Sequence, residues 1–216
     1  MVEKALKIQP SPAPSVTVAA YDPALHQQFH SFLEEERARR LQVFALVLTN
    51  NSGHAIHGLT VRWTMVTADG REHVMDYASD SFIYGGTVVD NDDSLLVTPS
   101  TMLTASLLKG GFGYIGPGID TSYADRFNGA IERRVSLDTV VFDNGEVFGP
   151  DLSETVKSID GRTMAIRTVI KAYYSGELGK LAERPIDRSD KVGMLVFRLP
   201  QQNLWGDSGS GSRPKL

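Results

Sequence analysis

Between Leu59 and Met65 apolar and polar residues alternate without a break. Leu59, Val61, Trp63 and Met65 are separated by Thr60, Arg62 and Thr64. Period 2 describes a strand with one face in a core. Ala68-Asp69-Gly70 follows at once, and His73, Met75 and Tyr77 then alternate with Glu72 and Asp76. An Asp-Gly step between two such runs reads as a hairpin turn.

Further runs of the same kind flank this hairpin. Val16–Ala20 is a short β-type run. Leu41–Thr49 is nearly continuous apolar and β-branched, which suits a strand buried on both faces, and Asn50-Asn51-Ser52-Gly53 ends it as a turn. Leu95–Thr98 stops at Pro99. Val135–Phe142 runs into Asn144-Gly145, a tight-turn signal leading to Glu146–Phe148. About seven short strands joined by turns, with no βαβ alternation, point to a mainly β, antiparallel two-sheet sandwich.

Composition sets limits on function. The chain has 216 residues, 41% of them apolar, and no cysteine. Disulfides, Cys-ligated zinc, Fe–S clusters and thiol nucleophiles are excluded. Lys plus Arg is 22 against 26 Asp plus Glu, a net charge of −4, which argues against nucleic acid as a partner. No apolar run reaches the ~18 residues of a membrane span, so no membrane span is expected and the compartment stays open. Charge divides at Pro150. Residues 1–150 carry 11 basic and 18 acidic side chains, residues 151–216 carry 11 and 8, for nets of −7 and +3.

The periodicity changes at the same place. Asp151 with Glu154 resembles a capping box. Ile159, Thr163, Ile166, Val169, Ile170 and Tyr173 then follow helical steps, and Gly176 closes the helix. The expected organisation is a flexible Pro-rich lead-in over 1–15, the sandwich over 16–150, a helical appendage over 151–206 packed on it, and a Gly/Ser tail over 207–216. A short inserted helix is expected within 23–40, because Asp22-Pro23 is a helix start and Leu25, Phe29, Phe32 and Leu33 share a helical face.

Segments Leu48–Gly53 with Ile56–Trp63, and Ser136–Gly145 with Gly149-Pro150-Asp151, resemble bacterial immunoglobulin-like or fibronectin-type-III-like sandwich proteins. The likeness covers roughly residues 40–175. It implies an immunoglobulin-like β-sandwich and a binding or structural role, commonly extracytoplasmic, and it transfers no catalytic residue.

Few motifs carry chemistry. His26, His30 and Glu34 lie at i, i+4 and i+8, so a helix over 23–36 would present all three on one face as metal ligands. His54, His57 and His73 would form a second cluster if they meet at one end of the sandwich. Asp90-Asn91-Asp92-Asp93 fails the EF-hand loop, because Leu95 stands at its sixth position and Thr101 at its twelfth. Gly111, Gly113 and Gly116 match a dinucleotide fingerprint literally, but Pro117-Gly118 follows where a helix must begin. The aromatics of the same glycine-rich stretch, Phe112, Tyr114, Tyr123 and Phe127, would stack on a sugar, fill a partner's pocket or cover the core. No cofactor is expected. The chain reads as a non-catalytic binding or structural module for a protein or glycan. The alternatives are a self-assembling subunit using its N-terminal arm over residues 8–20, and a metal-dependent enzyme built on His26, His30 and Glu34.

Overall fold

The computed structural model describes residues 6–29, 42–80, 88–90, 92–98, 101–104 and 129–182. The strands are β1 (Lys7–Ile8), β2 (Val16–Ala20), β3 (Leu46–Asn50), β4 (Ile56–Val66), β5 (Glu72–Asp80), β6 (Ser94–Thr98), β7 (Thr101–Thr104), β8 (Glu132–Phe142) and β9 (Val147–Phe148). Two helices follow, α1 (Thr155–Tyr174) and α2 (Leu178–Ala182). The chain divides into two units, Met1–Val156 and Lys157–Leu216.

The first unit is mainly β, with two mostly antiparallel sheets. One sheet has the order β1-β8-β4-β5, with β9 also pairing β8; the other runs β2-β3-β6-β7. Among the described strands the one parallel pair is β1 with β8, where Lys7 lies beside Arg134. One inner face of each sheet feeds a common core. Leu59, Val61, Trp63, Met65, Val135, Leu137, Val140 and Phe142 come from the first sheet, and Val16, Leu46, Leu48, Leu95 and Val97 from the second. Each such side chain contributes about 1.5–3 kcal/mol when fully buried. The alternation at Leu59–Met65 is therefore the inner row of β4.

Tight turns fall where the sequence places them. Gly70, at φ 78°, closes β4 onto β5, and Gly145, at φ 87°, closes β8 onto β9. Three expectations need correction. The apolar run from Leu41 is not one strand: Gln42–Phe44 is a single 3-10 turn, and β3 begins only at Leu46. Residues 6–15 are not a loose lead-in, because β1 sits in one sheet and Ala13 is buried in the core. Nor is there an α-helix from Pro23. The Asp22 carbonyl accepts the Leu25 and His26 N–H groups (3.1 and 2.8 Å), its carboxylate accepts the Ala24 N–H (2.8 Å), and only Gln27–Phe29 form a 3-10 turn. Leu25 is exposed while Phe29 is buried, so they share no face. Residues 30–41 lie outside the described residues.

In the second unit, the stripe expected on α1 is buried only in part: Ile159, Thr163, Ile166 and Val169 are half-buried, and the fully buried positions lie beside them. The buried positions are Ala165 and Ala172, with Val169 beside them and Leu178 and Leu181 packed against them. Small alanines allow close approach of α2, which a Schellman turn folds back. Glu177 N–H donates to the Ala172 carbonyl (2.8 Å) and Gly176 N–H to that of Tyr173 (3.2 Å), with Gly176 at φ 72°. Ile170 and Tyr173, expected in the buried stripe, are exposed.

Candidate functional site

Among the described residues, a dense polar cluster lies on the outer face of the five-stranded sheet. β4 turns Thr60 and Arg62 to that side, opposite its core residues. In β8 the ladder slips: Val61 pairs with Leu137 but Thr60 pairs with Thr139. Asp138 is the extra residue. A bulge of this kind redirects a side chain. Here it places Asp138 and Thr139 on the same side, between core residues Leu137 and Val140.

The segment Gly149–Glu154 crosses over this bulge as a strap. Gly149 has φ 103°, and a Cβ there would lie 2.2 Å from the Asp138 carbonyl oxygen. Only glycine permits that approach. Asp138 is 1% exposed. Its carbonyl accepts the Asp151 N–H (3.1 Å), and its carboxylate accepts the N–H groups of Leu152 (3.1 Å) and Ser153 (2.8 Å). Burial pushes this carboxyl upward. The Ser153 hydroxyl, the two backbone donors and the Arg62 guanidinium outweigh that, and the group ends below its ordinary value.

Asp151 continues the network toward α1. Its Oδ1 accepts from the Thr139 hydroxyl (2.8 Å) and from the N–H groups of Thr155 (2.8 Å) and Val156 (3.3 Å). A carboxylate does cap the helix, as the sequence suggests, but from four residues before its start. Glu154, expected inside the first turn, instead precedes the helix at φ 56°. The Thr155 hydroxyl pairs with those of Thr60 and Ser153. Arg62 binds Asp76 on β5 through two 2.6 Å hydrogen bonds and lies 3.7 Å from Asp138. That bidentate contact holds the guanidinium above its ordinary value. The charges of this network therefore face each other and the strap's own backbone donors. Its chemistry is that of a latch: buried acceptors hold a strained crossing segment and the first turn of a helix.

Other candidate residues are dispersed. His26 Nδ1 lies 3.0 Å from the Asp22 N–H, and its ring stacks on Tyr21 at 5.9 Å. The helical spacing its metal role requires is not formed at His26, and His30 and Glu34 lie outside the described residues. So do Phe112, Tyr114, Tyr123 and Phe127. Among the described residues, no three His, Asp or Glu side chains are placed to hold a metal ion. His54 pairs with Asp143 (3.0 Å), and desolvation there is outweighed by the Ala55 backbone and the His54 ring, leaving Asp143 below its ordinary value. His73 does not join them. It pairs opposite Met65, while His57 is near the other end of β4. Eight residues at about 3.3 Å each separate those ends by about 26 Å.

Asp90, Asp92 and Asp93, the described residues of the failed EF-hand stretch, are clamped by Asn50. Asn50 N–H and carbonyl bond to Asp93 and Asp92 (3.0 and 2.8 Å), and its side-chain amide donates to the His54 and Asp90 carbonyls (2.7 and 3.1 Å). Its Oδ1 accepts from the Ser52 hydroxyl (2.7 Å). Asn50 is fully buried, and both ends of its side-chain amide are used in these bonds. The N-terminal arm is also engaged in its own chain, with Val16–Ala20 paired along β3.

Sequence reading passed over Arg62, Asp138 and Ser153. The available signal was the broken period in Ser136-Leu137-Asp138-Thr139-Val140, where two polar residues separate two core residues. Comparison of the chain with protein-family models, with curated proteins and with solved structures gives no match.

Proposed function

We propose that this chain is a non-catalytic binding or structural module that works through contacts with another macromolecule, on an immunoglobulin-like sandwich framework. Three features support the framework: the shared core of the two sheets, the N-terminal segment that contributes one strand to each, and the placement of β4 between β5 and β8. The observation that carries the function is the outward side of α1. Ile170, Tyr173 and Tyr174 are 50%, 67% and 83% exposed, while alanines fill the buried side. Large amphipathic side chains gathered on an accessible helix face suit recognition of a protein or glycan. The latch at Asp138 fits the same role, because it spends the strongest polar groups on holding the frame.

The test is photo-crosslinking in extract of the source cells. A benzoylphenylalanine is placed at Tyr174, and at Leu25 as an equally exposed control outside the helix. A discrete adduct from position 174, lost when Ile170→Ser and Tyr173→Ser are added, is expected. Equal labelling from both positions, or none, would refute the reading.

A further inference from the structure

β5 is an edge strand among the described residues, and its form is unusual for an edge. Its ladder with β4 runs unbroken from Gly58/Asp80 to Val66/Glu72, whereas the β4–β8 ladder slips twice. It contains no proline and no bulge. Natural edges are usually interrupted by such devices or guarded by charged side chains, because unpaired N–H and C=O groups invite another strand; here the charges are Glu72 and Asp76, and each is paired with an arginine of its own sheet. Glu72, Val74, Asp76 and Ala78 are exposed, Val74 at 54%, while Ser79 and Asp80 are buried. The accessible run is thus Glu72–Ala78, and its midpoint is Met75.

The ladder also fixes which backbone groups face outward. Thr67 N–H donates to the Arg71 carbonyl (2.9 Å) at the turn. Hydrogen-bonded and non-hydrogen-bonded pairs alternate from there. His73, Met75 and Tyr77 consequently bond toward β4, and the outward donors and acceptors belong to Glu72, Val74, Asp76 and Ala78.

We propose that β5 pairs with β5 of a second copy of this chain, antiparallel, about a two-fold axis at Met75. Charge fixes the register, and in that register the strand is compatible with an identical one. With the axis at Met75, Glu72 faces Ala78 and Val74 faces Asp76 on both sides, so no like charges stand directly opposite. An axis at Asp76 sets Asp76 against itself and Glu72 against Asp80. An axis at Val74 sets Glu72 against Asp76. An axis at Tyr77 requires the buried Ser79 and Asp80. The Asp76 side chains that remain diagonal neighbours are each neutralised by their own Arg62 through two 2.6 Å bonds. In the same way Glu72 is paired with Arg134. The pairing is isologous, as a closed dimer requires, and it extends one sheet across both copies.

The experiment is sedimentation velocity on the full chain from about 10 μM to about 500 μM, a span that resolves weak dimers. A concentration-dependent dimer is expected. Ala78→Glu sets a carboxylate against Glu72 twice per dimer and weakens it about tenfold, whereas Ala78→Lys strengthens it by a similar factor. Val74→Pro removes an outward donor without touching the β4 ladder and abolishes the dimer. A chain that stays monomeric throughout, or equal dimer constants for Ala78→Glu and Ala78→Lys, overturns the proposal. The two Ala78 variants decide the matter even where Val74→Pro fails to fold. Crosslinking from Tyr174 is independent of this result, so the two readings fail separately.

Discussion

Replacing Asp138 tests whether a buried carboxylate holds the strap and the start of α1. In Asp138→Ala the N–H groups of Leu152 and Ser153 lose an ionised acceptor at 3.1 and 2.8 Å. Hydrogen bonds to a charged group are worth about 1.5–3 kcal/mol each, and an orphaned donor costs about 1–3 kcal/mol. Leu152 is exposed, so water reaches this part of the strap and the lower figures apply. Arg62 retains both bonds to Asp76 and is not left uncompensated. The total comes to about 3 kcal/mol, a large share of the 5–15 kcal/mol typical of a domain. Asp138→Asn keeps one acceptor but turns an NH2 group toward an N–H, which costs about 2 kcal/mol by the same reasoning. Guanidinium unfolding, followed by tryptophan fluorescence and by helical circular dichroism, measures both. The expected order of stability is parent, Asn, Ala. Combining Asp138→Ala with Ser153→Ala must cost less than the sum of the two changes, because they break the same contact. An Asn variant within about 0.5 kcal/mol of the parent would show that the charge holds nothing.

Because the folded Asp138 carboxyl lies below its ordinary value, its contribution is complete above the unfolded value of about 3.9 and is lost as pH falls through the lower folded value. The acid limb of a stability-against-pH curve is therefore expected to flatten in Asp138→Asn, and an unchanged limb would assign it to other carboxylates. Gly149→Ala is expected to cost about 3 kcal/mol, from a positive φ and a Cβ driven onto a backbone carbonyl, whereas Gly145→Ala, with open space around it, costs only about 1 kcal/mol of backbone strain. Equal losses in thermal unfolding would remove the close approach as a cause. Asn50→Ala is expected to cost about 3 kcal/mol, since it strips a buried amide from carbonyls of two loops; amide exchange in residues 51–54 and 92–93 should accelerate together, and acceleration in only one loop would show that they are not joined.

The parts of the fold legible in sequence are those where one local rule acts alone. Leu59–Met65 alternates because one face of β4 is buried, and Gly70 and Gly145 sit at positive φ because two-stranded turns demand it. Reading failed where two rules compete. Leu41–Phe44 is apolar but for Gln42, yet the strand begins only at Leu46, where a ladder partner exists at Val97. Asp22-Pro23 signals a helix, but the Asp22 carbonyl and carboxylate close a turn first. On α1 the bulkier side chains marked a stripe that is only half-buried, while packing against α2 selected Ala165 and Ala172 beside it, with Val169 common to both. β1 is two residues long, and nothing local marks it.

Asp138 was illegible for a deeper reason: its role depends on a ladder slip that no local rule reports. The slip also accounts for the asymmetry of the sheet. On the β8 side of β4 the irregular ladder turns two polar residues outward, and the strap, its glycine and the helix cap are built on them. On the β5 side the ladder is regular, and Arg62 reaches across it to neutralise Asp76. One arginine thus stands between a finished polar latch and an edge relieved of the charge that would repel a second copy. Arg62→Ala should therefore loosen the strap only modestly, since Asp138 keeps its backbone donors, but should weaken β5 pairing by exposing the Asp76 carboxylates to each other. A strap that detaches while dimerisation is untouched would reverse that division and place the arginine's main role at the latch.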